Sequence, residues 1–190
     1  VKKLDKADPV TGIVLKAAAA GINVYCSHTA CDCAPMGLNL ALAMRLGMIE
    51  PKFFINEGEG YGLGFIGDIQ PICAQALLQM IKGELGARRL KYVPHEGNIT
   101  RIAAIGGSAG EFFKEAKEQG AQALIVGDAK YNDFLDAAAM DVMLIEAGHF
   151  ETEVEFAILM RDSLQNKINE LKYKLTVNAS GRMKPPYEAI

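Results

Sequence analysis

The sequence predicts an α/β fold with a largely parallel sheet. Two observations carry this. From Arg101 onward, short runs of strand type ("RIAAIGG", "ALIVG", "VMLIEA") alternate with amphipathic segments of helical length. The chain has 190 residues, half of them apolar and 23 % charged, enough for one sizeable core with room for two lobes but hardly for two independent domains.

The elements follow in order. Val10 to Ala20 reads as a helix that Gly21 stops. Ile22 to Ser27 reads as a strand, and Pro35 to Leu46 as a helix with proline in its first turn. "EGEGYGLGFIG" (Glu57 to Gly67) is dense in glycine and reads as a loop or irregular strand. A helix at Pro71 to Lys82 and a strand at Leu90 to Val93 come next. Strands at 101–107, 123–127 and 142–147 then alternate with helices at Glu111 to Gln119, Asn132 to Met140 and Phe150 to Leu171. Residues 177–190, polar and proline-rich, form a surface tail, and no repeat or low-complexity tract interrupts the pattern.

Composition excludes several classes. A net charge of −3 without a basic, aromatic-interleaved cluster gives no footprint for nucleic acid. No apolar run approaches the ~20 residues that span a bilayer, and no signal-peptide pattern opens the chain. Cys26, Cys31 and Cys33 crowd together, with Cys73 apart, which is poor spacing for a disulfide framework and points to a reducing cytoplasm.

Four stretches could carry chemistry. In "IEAGHFETEVEF", His149 and Glu153 are four positions apart and share a helix face. At ~100° per residue, Glu153 lies at the edge of the apolar arc of Phe150, Val154, Ala157, Leu164, Ile168 and Leu171, while Glu151, Thr152 and Glu155 point to solvent. The pair is either half of a metal site or a helix cap with an ion pair. The helix dipole opposes a dication at this end, so further carboxylates would be required. In "SHTACDC", His28 and Asp32 follow a strand and are plausible ligands. Cys31 and Cys33 would instead suggest thiolate zinc, or Asp32 caps a turn while the cysteines pack. In "AIGGSAGEF", the backbone of Gly106, Gly107, Ser108 and Gly110 could bind an anion, or the glycines serve close packing. In "VGDAKYND", Asp128 ends a strand at the same end of the sheet as Gly106 and Glu146, as an N-cap or as a functional acid. His95 reads as a surface-loop residue.

"HTACDCAPMGLNLALAMRLG", "GEGYGLGFIG", "GGSAGEFFKEAKEQGAQALIVGDAKY" and "IEAGHFETE", in this order, resemble the NIF-three-like family, also labelled GTP cyclohydrolase I type 2 homologues. The resemblance covers essentially the whole chain, as a single two-lobed domain over 1–190, and is most specific at H-T-x-x-D followed by G-x-N and at G-H-x-x-x-E. It implies a dinuclear divalent-metal site (Zn, Mn or Fe) facing the cavity of a ring-shaped hexamer. By matching positions the metal ligands are Asp32, His149 and Glu153, with His28, Asp128 and Glu146 lining or supporting the site. Three departures stand out. The family's N-terminal paired-histidine motif is absent, and a chain opening on Val1 rather than Met leads us to expect it upstream. Asn132 stands where a histidine is common, and Glu146 replaces the aspartate before A-G-H.

The expectation is a metal-binding, hydrolase-like protein acting on a small, phosphorylated or nucleotide-like molecule. The alternative is a non-catalytic metal-binding or ring-forming interaction protein, and a thiolate site at Cys31 and Cys33 ranks last. Neither membrane nor nucleic-acid partners are expected.

Overall fold

The computed structural model describes residues 3–188, and its contacts divide the chain into one unit up to Ala30 and another from Cys31 onward. In the first unit, helix α1 (Pro9–Ala19) begins where the Asp8 carboxylate accepts hydrogen bonds from the backbone N–H of Val10 (3.1 Å) and Thr11 (2.6 Å). Pro9 takes the first helical position, where no N–H is needed. The expected strand at Ile22 to Ser27 does not form. The segment joins no ladder, and Ile22, Val24 and Tyr25 are exposed. Alternating apolar residues make a strand only where a neighbour completes the backbone hydrogen bonds. Helix α2 (Thr29–Asp32) follows.

The second unit holds a six-stranded sheet of β1 (Ile49–Gly58), β2 (Tyr61–Cys73), β3 (Lys91–Tyr92), β4 (Asn98–Ser108), β5 (Ala123–Asp128) and β6 (Met143–Glu146), in the order β1-β2-β4-β5-β6-β3. Only β4–β5 and β5–β6 are parallel. The pairs β1–β2, β2–β4 and β3–β6 are antiparallel, so the sheet is mixed and not largely parallel. The glycine-rich stretch is responsible. It holds the turn of a long hairpin, between Gly58 and Tyr61, and the first half of β2, and so short a connection can join only antiparallel strands. Its register shifts make it an irregular strand pair rather than a loop.

Strands β4 to β6 are buried on both faces, and the two-residue period decides which side chain faces which layer. Ile102, Ala104, Ile125 and Ile145 pack with Leu42 and Leu46, in and just after helix α3 (Leu38–Arg45), and with Leu77, Ile81 and Leu85 of helix α4 (Ala74–Leu85). Ala103, Ile105, Leu124, Val126 and Leu144 pack on the other face with Phe113 and Ala116 of α5 (Phe113–Glu118) and Ala137 of α6 (Tyr131–Ala139). Each buried Leu, Ile or Val side chain contributes about 1.5–3 kcal/mol, which anchors the strand ends that build the site.

The long helix expected over Phe150 to Leu171 is two helices, α7 (His149–Glu153) and α8 (Phe156–Glu170). The Thr152 hydroxyl turns back on the carbonyl oxygens of Gly148 (3.0 Å) and His149 (3.1 Å), an arrangement that bends helices, and the chain breaks just after it. A single helical wheel therefore misplaces residues. Thr152 is buried rather than solvent-facing, and no residue of α8 is buried. From 177 to 188 the chain has no helix or strand and is mostly exposed, and the last two residues of the expected tail lie outside the described ones. Among the described residues no helix is long and apolar enough to cross a membrane.

Candidate functional site

The parallel strands β4, β5 and β6 end together at Ser108, Asp128 and Glu146. Beyond β6 the chain stays beside β5, through Ala147 N–H to the Val126 carbonyl (2.8 Å) and Gly148 N–H to the Gly127 carbonyl (3.0 Å). This path delivers His149, the first residue of α7, to Asp128. The His149 Nδ1 makes a close hydrogen bond with Asp128 Oδ2, and its Nε2 lies 3.3 Å from Glu153 Oε1 one turn along. The imidazole pKa is raised above its ordinary value. The Asp128 hydrogen bond is the main cause, partial burial opposes it, and the charges of Glu153, Asp128 and Asp32 reinforce it. Asp32, at the end of α2, is thus within electrostatic reach of His149.

Two buried polar side chains, to which the sequence reading assigned no structural role, hold this arrangement. Asn39 is fully buried; its Nδ2 donates to the Asp32 carbonyl (2.9 Å) and its Oδ1 accepts from Gly106 N–H (2.7 Å), tying the end of α2 to the end of β4. Thr152 accepts from Gly107 N–H (3.3 Å), tying α7 to the same strand end. The sequence signals were the asparagine of the G-x-N motif and one hydroxyl between two glutamates. Gly107 forms the floor. At φ 74°, a Cβ built there would lie 2.6 Å from Glu153 Oε1 and 3.6 Å from His149 Nε2.

The remaining expected residues fare differently. His28 lies in the first unit, with φ 40° and its Nδ1 2.8 Å from Thr29 Oγ1. Glu146 uses Oε1 for Lys91 Nζ (2.6 Å) and Oε2 for Ala129 N–H (3.1 Å), so it fastens two strand ends. The anion-loop expectation is corrected. The N–H groups of Gly106 and Gly107 are taken by Asn39 and Thr152, and Ser108 is paired with Asp128 in the ladder. Gly110 opens a 3₁₀ turn (Gly110–Phe112), not an α-helix. His95 is no surface residue: its side chain is 11 % exposed and its Nδ1 is buried. All four cysteines are free. Burial, with Asp32 and Glu57 nearby, raises the Cys33 pKa, the reverse of what a thiolate ligand needs.

Does this donor set suit a divalent metal? With Nδ1 held by Asp128, the imidazole turns Nε2 toward Glu153, the carboxylate–histidine arrangement that orients a metal-ligating ring. Two ligand atoms each ~2.1 Å from a tetrahedral ion lie ~3.4 Å apart, and Nε2 and Oε1 are separated by 3.3 Å. One imidazole with carboxylates suits Zn, Mn or Fe. Yet among the described residues no three His, Cys, Asp or Glu side chains come together as a metal-holding group. The residues fit one edge of a metal site, not a closed one.

Comparisons with known proteins agree with the mixed α/β fold and place the chain in a family. The family model described as Duf34/NIF3 (NGG1p interacting factor 3) matches residues 1–186. A Lactococcus lactis protein named GTP cyclohydrolase 1 type 2 homolog is 34 % identical over 158 residues, 81 % of this chain. One of the same name from Clostridium acetobutylicum is 27 % identical over 92 % of it. The chain spans 60 % and 67 % of the lengths of these relatives. The crystal structure of a Staphylococcus aureus hypothetical protein superposes with a TM-score of 0.91 at 25 % identity, over all of this chain and 76 % of that one. A Bacillus cereus protein related to NIF3 has the same TM-score at 16 % identity, over all of this chain and 80 % of that one, a likeness of fold.

Proposed function

The chain belongs to the Duf34/NIF3 family, and from that premise we propose that it is a metal-dependent, hydrolase-like protein acting on a small phosphorylated or nucleotide-like molecule. The observation that carries this reading is His149, held on Nδ1 by Asp128 and presenting Nε2 to Glu153 at ligand spacing. In this reading Asp32, His149 and Glu153 hold a divalent ion (Zn, Mn or Fe), and completing its shell requires donors besides these three. When bound, the ion supplies Lewis acidity and lowers the pKa of a water. The chain's own residues do the rest. Asp128 fixes the imidazole tautomer and ring plane. Asp32 and Glu153 supply the negative charge that offsets the helix dipole. Gly107 leaves the space beside Glu153 that a side chain would fill.

The test is metal content. Glu153→Ala should remove most of the metal co-purifying with the protein, by elemental analysis; unchanged content sinks the site.

A second reading rests on α8. No residue of this 15-residue helix is fully buried, and Ile158 and Leu164 stand exposed on it. Such a surface suits subunit contacts in a ring-shaped homo-oligomer whose metal is structural. Turnover of phosphoesters or nucleotides abolished by Asp32→Ala supports the enzyme; full metal without turnover favours the assembly.

A further inference from the structure

Beside the His149–Asp128 pair opens a cleft of about 1090 Å³, and outside the tail its charges are sorted by origin. Asp128, Glu146 and Glu151 come from the strand ends and α7, and Glu188 comes from the tail. Lys82, Arg88 and Arg89 come from the end of α4 and the connection to β3, and Lys184 joins them from the tail. Lys91 and Glu146, bonded at 2.6 Å, link the two groups. Among the described residues, Lys82, Arg88, Arg89 and Lys184 take part in no ion pair.

Four cations that take part in no ion pair among the described residues line one cleft, which needs explaining in a chain of net charge −3. Lys82 sits in the last turn of α4 and also complements the negative end of that helix. No such role accounts for Arg88 and Arg89, which lie exposed in the connection beyond it. For a polyanion such cations are a ready counter-charge, and a guanidinium fork matches phosphate oxygens in pairs. The volume suits a ligand of nucleotide or sugar-phosphate size, too large for a lone metal ion.

We infer that this cleft binds a phosphorylated small molecule, its phosphate held by Arg88, Arg89, Lys82 and Lys184. The sorting of charge then sets its direction. The acids at the strand ends repel the phosphate, so the uncharged, reacting end lies toward Asp128 and His149. Phe150 and Tyr187, which also line the cleft, offer aromatic faces to that part of the ligand. This inference deepens the hydrolase reading and rests on it for where the reacting bond lies; the phosphate contacts stand apart from any metal.

That separation sets the experiment. Binding of inorganic pyrophosphate to the whole chain is measured by calorimetry at low salt with EDTA present, so that no metal contributes. The wild type should bind, and Arg88→Glu/Arg89→Glu should bind at least about tenfold more weakly, because charge-assisted hydrogen bonds are lost. A control of equal charge change away from the cleft, Lys52→Glu/Lys114→Glu, should stay within about twofold, since it removes only long-range attraction. Both pairs of positions carry exposed side chains, and thermal melts check that each variant folds. Absence of wild-type binding, equal weakening in both variants, or tighter binding of a single-stranded RNA than of pyrophosphate through the same arginines would each overturn the inference. Metal content in the Arg88→Glu/Arg89→Glu variant keeps the two readings separate: retained metal without pyrophosphate binding removes the phosphate site alone.

Discussion

Replacing Gly107 by alanine tests the site without touching a ligand. At φ 74° an L-residue carries about 1–2 kcal/mol of left-handed strain. For a chain of this length that is a Tm fall of roughly 2–8 °C. The added Cβ would also stand 2.6 Å from Glu153 Oε1, inside the 3.4 Å at which ordinary contact begins. Because the carboxylate ends a flexible side chain, it moves and the backbone stays. Metal ligands tolerate errors of only about 0.2 Å, so a retreat of most of an ångström removes Glu153 as a ligand and weakens metal binding at least about tenfold. Gly120→Ala is the matched control, with φ 79° and nothing nearer its Cβ than Arg101 Cδ at 3.9 Å. Both variants should lose similar stability in thermal melts, and only Gly107→Ala should lose metal on elemental analysis. Equal metal in the two variants would refute the geometry assigned to Glu153.

Two further outcomes follow from the supporting residues. Asn39→Ala leaves Gly106 N–H and the Asp32 carbonyl without their partner, and should cost about 2–4 kcal/mol in urea unfolding; a loss well under 1 kcal/mol would mean that the amide does not tie α2 to β4. In metal-free protein, His149 should titrate above its ordinary value by NMR and fall back toward it in Asp128→Asn. A pKa raised by folding stabilises below the unfolded value of about 6.5 and loses that contribution as pH rises through the folded value. Asp128→Asn should therefore cost more stability near pH 6 than near pH 9, and a cost that grows with pH would contradict the assignment.

The alternating half of the chain was legible because burial on both faces leaves a plain signal: β4 covers the expected 101–107, β5 the expected 123–127, and β6 the middle four residues of the expected 142–147. The hairpin of β1 and β2 was not, because its glycines mimic a loop and its pairing is set by the short turn at Glu59 and Gly60 rather than by periodicity. Ile22 to Ser27 has strand composition without a strand partner, and no local pattern reports that. At the site, the i, i+4 spacing of His149 and Glu153 and the strand-end position of Asp128 could be read directly. The hydrogen-bonding roles of Asn39 and Thr152 could not, since a buried amide or hydroxyl is recognised by the backbone groups it meets, and those lie 67 and 45 positions away. The helical wheel failed at Thr152 for the same reason: the hydroxyl that ends α7 is what turns that side chain inward.

The most direct measurement is a zinc titration of the chelator-treated chain, followed by the ¹⁵N resonances of the His149 imidazole. Coordination predicts that the Nε2 resonance moves with zinc while Nδ1 keeps its proton against Asp128, and that Glu153→Ala abolishes the movement at the same zinc concentration. Imidazole resonances that stay still at saturating zinc, or that move unchanged without Glu153, would contradict a metal site at this strand end.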